Sequence, residues 1–162
     1  MTFETLGLAP ALLRALAEND YTTPTAIQQQ AIPLVLSGAD VLGGAQTGTG
    51  KTAAFALPVL NRLSKDTPPS GPRKPRALVL VPTRELAVQV ADSFKTYGRH
   101  LKLNVTTLFG GVGMQPQIDQ LRRGVDVLVA CPGRLIDHLD RGSVKLDAVQ
   151  VLVLDEADRM LD

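Results

Sequence analysis

Lys51 and Thr52 close the run Ala45-Gln46-Thr47-Gly48-Thr49-Gly50-Lys51-Thr52, and Asp155 and Glu156 stand directly behind the apolar run Val151-Leu152-Val153-Leu154. Glycines in such a run let backbone N–H groups turn toward an anion, and a helix beginning there adds a favourable dipole. The lysine suits the β- and γ-phosphates of a nucleoside triphosphate, and the threonine hydroxyl suits Mg²⁺. The strict phosphate-loop pattern has glycine where this chain has Ala45, a departure of one position. A carboxylate behind a buried strand completes the chemistry. Asp155 would hold Mg²⁺ through its water shell, and Glu156 would orient and deprotonate the attacking water. The plainer alternatives are a Gly-rich turn and a solvated acidic turn, the latter being the default for Asp158 taken alone. Two half-sites suited to one reaction outweigh both.

Such groups need a scaffold. The continuous runs Ala77–Val81, Val127–Ala130 and Val151–Leu154 are short, rich in Val and Leu and without polar alternation, as in parallel strands covered on both faces. Asp40–Gly44 and Val105–Phe109 predict two more strands. Between them, Leu86, Val90 and Phe94 recur at helical spacing beside Ala87 and Ala91, and Leu12, Leu13 and Leu16 do so after Pro10. A helix over Ala53–Leu63 follows the glycine run. Strands alternating with helices predict an α/β domain with a parallel sheet. Thr67 to Pro75 holds four prolines and two basic residues and reads as an exposed connector; an RNA-binding loop is the less favoured alternative.

The 162 residues suffice for one domain that buries roughly 70% of its unfolded surface. Seventeen basic and 16 acidic residues leave a formal charge of +1, so any polyanion contact must be local. A single cysteine excludes an internal disulfide and fits a reducing compartment. There is no apolar run of membrane-spanning length and no basic leader, so the expectation is a soluble, cytoplasmic domain. His100 and His138 lack metal-ligand spacing and read as solvated helix residues.

Taken together, these motifs resemble the DEAD-box family of ATP-dependent RNA helicases, whose tetrapeptide stands at Asp155-Glu156-Ala157-Asp158. The resemblance runs over essentially the whole chain, and its details look most like the bacterial RhlE branch. It implies a RecA-like P-loop NTPase domain with ATP and Mg²⁺, the ion held by Thr52 and Asp155, and catalysis by Lys51, Asp155 and Glu156. Asp20 to Gln28 is similar to the adenine-reading Q motif, with Asp20 where the family usually has glycine. Gln28 would pair with adenine and Phe3 would stack on it, whereas read alone they are a polar helix residue and a core anchor. Pro82-Thr83-Arg84-Glu85-Leu86-Ala87 resembles motif Ia, Gly110-Gly111 the Gly-Gly element, and Ala130-Cys131-Pro132-Gly133-Arg134 motif Ib. The resemblance implies that Pro82, Thr83, Arg84, Gly110, Gly111, Pro132, Gly133 and Arg134 contact RNA through phosphate and ribose, with little sequence specificity. Read alone, Thr83 is a helix cap and Gly110-Gly111 a turn. Cys131 stands where the family has threonine, a weaker hydrogen-bonding group that predicts slightly weaker RNA binding. A catalytic thiol there has no histidine partner. Asp158 would couple domains.

The same resemblance divides the chain into a Q-motif region, 1–30, and an ATP-binding domain, 31–162. That domain is expected to be incomplete, because no Ser-Ala-Thr motif occurs. The family's Ser-Ala-Thr strand lies between the phosphate-loop strand and the DEAD strand, so a central strand would be missing. A second RecA-like domain would supply an arginine finger, whose loss alone costs about 10³–10⁵ in turnover. This chain alone is therefore expected to bind nucleotide weakly and RNA very weakly. A truncated non-catalytic nucleotide- or RNA-binding module remains an alternative, as does the ATPase core of a DNA helicase.

Overall fold

In the computed structural model, residues 7–19, 49–65 and 73–155 are described. They form α1 (Pro10–Glu18), α2 (Thr49–Lys65), β1 (Ala77–Leu80), α3 (Arg84–Tyr97), β2 (Val105–Leu108), α4 (Met114–Arg123), β3 (Val127–Ala130), α5 (Pro132–Arg141) and β4 (Val151–Leu154). The expected strand at Asp40–Gly44 lies outside these residues.

The four strands are parallel, in the order β2-β3-β1-β4. Alternate residues of each strand feed two separate cores. Ala77, Val79, Val127, Val129, Val151 and Val153 face α1, α2 and α3, while Leu78, Leu108, Leu128 and Ala130 face Leu121 of α4 and Leu135 of α5. The switch of face follows from the strand order. The step from β1 to β2 runs one way along the sheet, whereas β2 to β3 and β3 to β4 run the other way. Parallel crossovers keep one hand, so a reversed step must put its helix on the opposite face. The expected α/β domain with helices flanking a parallel sheet is thus what forms. Its exception is β4, where Leu152 is 41% exposed and which pairs, among the described residues, with β1 alone.

Local chemistry explains the helices. Pro10 opens α1, where its missing N–H is no loss. Helix α2 is buried almost all round from Ala53 to Leu63, the pattern of a central helix, and tolerates Pro58 in its interior. The buried Asn61 Oδ1 accepts from the Ala9 N–H at 2.6 Å, docking the start of α1 on α2. Thr83 caps α3 by accepting from the Leu86 N–H at 3.2 Å. Leu86, Val90 and Phe94 are all buried, as their spacing predicts.

Beneath the N-terminal ends of the strands lies a buried ionic cluster that the sequence reading did not anticipate. Asp126, fully buried, accepts from Arg76 Nη2 at 3.0 Å, Arg73 Nη1 at 2.9 Å and the Asn104 N–H at 2.8 Å. Gly124 makes room for this, with φ +102° and a Cβ position only 2.9 Å from the Arg73 nitrogen. Arg73 pairs with Asp126 and Lys74 with Asp147 at the surface, while residues 67–72 of the expected connector lie outside the described residues.

Candidate functional site

The expected site residues that follow described strands, Pro82 to Arg84, Gly110-Gly111, Pro132 to Arg134 and Asp155, sit at the other end of the sheet, beyond the C-terminal ends of the strands, where ligands bind in open α/β sheets. Asp155 follows β4, is 2% exposed, and continues the ladder by donating its N–H to Leu80 at 2.9 Å. Thr52 is buried in the first turn of α2. Both offer hard oxygen donors of the kind Mg²⁺ prefers, and that ion needs few protein ligands. No group of three or more His, Cys, Asp or Glu side chains able to hold a metal occurs among the described residues. Phe3, Gln28, Ala45, Gln46, Thr47, Gly48, Glu156 and Asp158 lie outside the described residues, as do the side chains of Thr49 and Lys51.

The three segments implied to meet RNA do converge. Gly110 and Gly111 follow β2 between two arginines. A Cβ on Gly110 would lie 4.0 Å from Arg134 Nη2, and one on Gly111 would lie 3.7 Å from Arg84 Nη1. The Arg84 guanidinium rests 4.9 Å over the Phe109 ring. Gly111 has φ +82°, a backbone conformation that favours glycine. Pro132 opens α5, and a Cβ on the exposed Gly133 would meet nothing within 4 Å. The rim therefore presents small residues, a helix N-terminus and two guanidinium groups, which suits phosphate more than base edges.

Cys131 is the N-cap of α5 but makes no side-chain cap bond. Burial, with Glu85 nearby, pushes its thiol pKa up, so the thiolate a nucleophile needs is disfavoured.

The histidine expectations are corrected. His138 is fully buried, its Nε2 donating to Gln117 Oε1 at 2.9 Å and its Nδ1 meeting Ser143 Oγ at 2.7 Å. Its place three residues after the buried Leu135 puts it on the inward stripe of α5, a signal the sequence carried. His100 lies in the turn after α3 and pairs with Glu18 of α1. Burial chiefly, with Arg134 and Arg141 beside it and Asp137 opposing, holds the His138 pKa below its ordinary 6.5. The unfolded chain then takes up a proton that the native state refuses, so this contribution to stability is present above pH 6.5 and lost as pH falls below it. Urea melts between pH 7.5 and 5.5 should show that decline, shallower in His138→Gln; equal slopes would refute it.

A four-strand parallel sheet with helices on both faces makes this an α/β domain, consistent with a RecA-like one. The DEAD/DEAH box helicase family matches residues 25–162, and the chain belongs to that family. It is 52% identical over 161 residues to ATP-dependent RNA helicase DeaD of Mycobacterium tuberculosis (strain H37Rv), covering 99% of this chain and 28% of that protein. For the DeaD protein of Klebsiella pneumoniae the figures are 49%, 99% and 24%. For DEAD-box ATP-dependent RNA helicase 52A of Oryza sativa subsp. japonica they are 45%, 99% and 28%. The two bacterial relatives carry the DeaD name and not that of the RhlE branch. The chain thus spans about a quarter of the length of these relatives. No helix among the described residues is long and apolar enough to cross a membrane.

Proposed function

We propose that this chain is the ATP- and RNA-binding first domain of an ATP-dependent RNA helicase, working in the cytoplasm with a second RecA-like domain. The observation that carries the reading is the convergence of Arg84, Gly110-Gly111 and Arg134 on one rim of the sheet that also ends in Asp155. Residues 1–30 form the adenine-reading region, in which Gln28 pairs with the base and Phe3 stacks on it; residues 31–162 form the nucleotide-binding domain. Backbone N–H groups of Ala45, Gln46, Thr47, Gly48, Thr49 and Gly50 cradle the phosphates, and Lys51 reaches the β- and γ-phosphates.

Thr52 and Asp155 would hold Mg²⁺, which supplies charge neutralisation at the phosphates when bound. Glu156 takes the proton of the water attacking the γ-phosphorus as the bond to the β,γ-bridging oxygen breaks and ADP leaves, and Asp158 passes the state of the nucleotide to the second domain. Pro82, Thr83, Arg84, Gly110, Gly111, Pro132, Gly133 and Arg134 hold one strand by phosphate and ribose. Closure of the two domains bends that strand and opens a duplex locally, and phosphate release resets the clamp.

Thermal melts with Mg·ATP and Mg·GTP test the nucleotide half: stabilisation by ATP and not GTP is expected, and equal shifts would remove the adenine role of Gln28. Fluorescence anisotropy with single-stranded RNA and duplex DNA tests the other half, and a preference for the duplex would reject it. Cys131→Thr should strengthen RNA binding a few-fold without changing ATP affinity, because a hydroxyl bonds better than a thiol. The hydroxyl also caps α5, so Tm should rise by about 2–4 °C. Unchanged RNA affinity would make the cysteine neutral.

A further inference from the structure

The Gly110-Gly111 loop is exposed and glycine-rich, so left to itself it would lose much conformational freedom on meeting a ligand. Its order comes from below. Gln117, on α4 and only 6% exposed, donates from Nε2 to the Phe109 carbonyl at 3.0 Å. Its Oε1 accepts from Arg134 Nη1 at 3.3 Å and from His138 Nε2 at 2.9 Å, both on α5. Arg134 Nη1 also donates to the Val112 carbonyl at 3.0 Å, closing a ring of contacts around the loop. The buried amide thus ties the Phe109 end of the loop to α5, and the Arg134 side chain it holds ties the Val112 end.

We propose that Gln117 is a positioning residue for RNA recognition, its buried amide locking the Gly110-Gly111 loop and the first turn of α5 into one preformed surface. The proposal rests on the RNA role assigned above to Gly110, Gly111 and Arg134. Gln117 itself does not meet the RNA. It acts by presenting the loop's backbone N–H groups and the Arg134 guanidinium at a fixed separation, so that little ordering remains for the binding step. A plainer role, the mere satisfaction of a buried polar side chain, would leave RNA affinity untouched once the domain is folded.

Two variants separate these roles. Gln117→Met keeps the length and volume of the side chain but removes its donor and acceptor. Gln117→Glu keeps an acceptor for Arg134 and His138 but loses the donor to the Phe109 carbonyl. Amide hydrogen exchange at residues 110–113 reports the loop, and anisotropy of a labelled ten-nucleotide oligouridine reports RNA affinity, with Mg·ATP affinity as the internal control.

Gln117→Met should quicken exchange at residues 110–113 and weaken oligouridine binding about tenfold while ATP affinity holds. Gln117→Glu should also quicken exchange at the loop, because the Phe109 carbonyl loses its donor, but should weaken oligouridine binding less than the methionine variant, because Arg134 stays held. The proposal is overturned if the methionine variant binds oligouridine like wild type, if exchange at the loop does not change, or if the glutamate variant loses as much as the methionine one. RNA and ATP affinity falling together would also overturn it, since that marks general damage. A wild-type chain with no affinity for oligouridine fails the RNA reading first, and the positioning role falls with it. Binding by wild type and methionine variant alike removes the positioning role only.

Discussion

Alanine at Asp126 is expected to cost the domain about 3–5 kcal/mol, the typical loss when one partner of a buried ion pair is removed. The carboxylate is fully buried and accepts from Arg76, Arg73 and the Asn104 backbone. Arg76 is itself only 4% exposed, so its charge would stay inside the protein without its counter-charge. Its Nε already has no hydrogen-bond partner among the described residues, which leaves little slack for a second loss. Against a domain stability of about 5–15 kcal/mol, such a loss removes a large share of the margin that keeps the chain folded. Urea titration reads this directly as a lower midpoint at unchanged slope. A loss below about 1 kcal/mol would mean that the cluster is solvated and behaves as a surface pair does. Changing Asp126 and Arg76 together to apolar residues of similar volume should recover part of the loss, because a filled apolar site avoids the stranded charge.

Lys51→Ala is expected to abolish the stabilisation that Mg·ATP confers. Ligand at 100 times its dissociation constant stabilises a binding-competent fold by about 2.7 kcal/mol. For a domain of this size that is a rise in Tm of about 5–11 °C, which should vanish in the variant at the same ATP concentration. The reason is electrostatic: Lys51 carries the only full charge in the run Ala45–Thr52, and in the proposed site that charge offsets those of the β- and γ-phosphates. Each protein's unliganded melt is its own reference, so a change in basal stability does not enter the comparison. A variant that ATP still stabilises by several degrees would move the phosphate site away from Lys51.

How far the sequence could be read depended on whether a residue's partners were local. The runs Ala77–Val81, Val127–Ala130 and Val151–Leu154 are strands because apolar runs of that length, flanked by turns, have few other fates, and all three form, the first ending one residue early at Leu80. Thr83 as a cap and Pro10 as a helix opener are likewise local matters. The convergence of Arg84, Gly110-Gly111 and Arg134 came from a resemblance, since nothing in their spacing brings three loops together. The Asp126 cluster stayed hidden because its members are spread over more than 50 positions and meet only through the parallel register. His138 and Gln117 are only half legible, for another reason: helical spacing can place them inward but cannot name what satisfies them. A polar residue on an inward helical stripe looks solvated until its partner on the neighbouring helix is known. Glu156 and the adenine-reading residues rest on the sequence and the family alone.

Because the ionic cluster lies under one end of the sheet and the glycine-rich rim over the other, selection can act on the two almost independently. Variants at the base should change how much protein a cell accumulates, through the unfolded fraction that proteases remove. Those at the rim should change what each molecule does at constant abundance. A library scored once for abundance and once for RNA affinity would then separate into two nearly orthogonal sets, with Gln117 and His138 among the few positions that score in both.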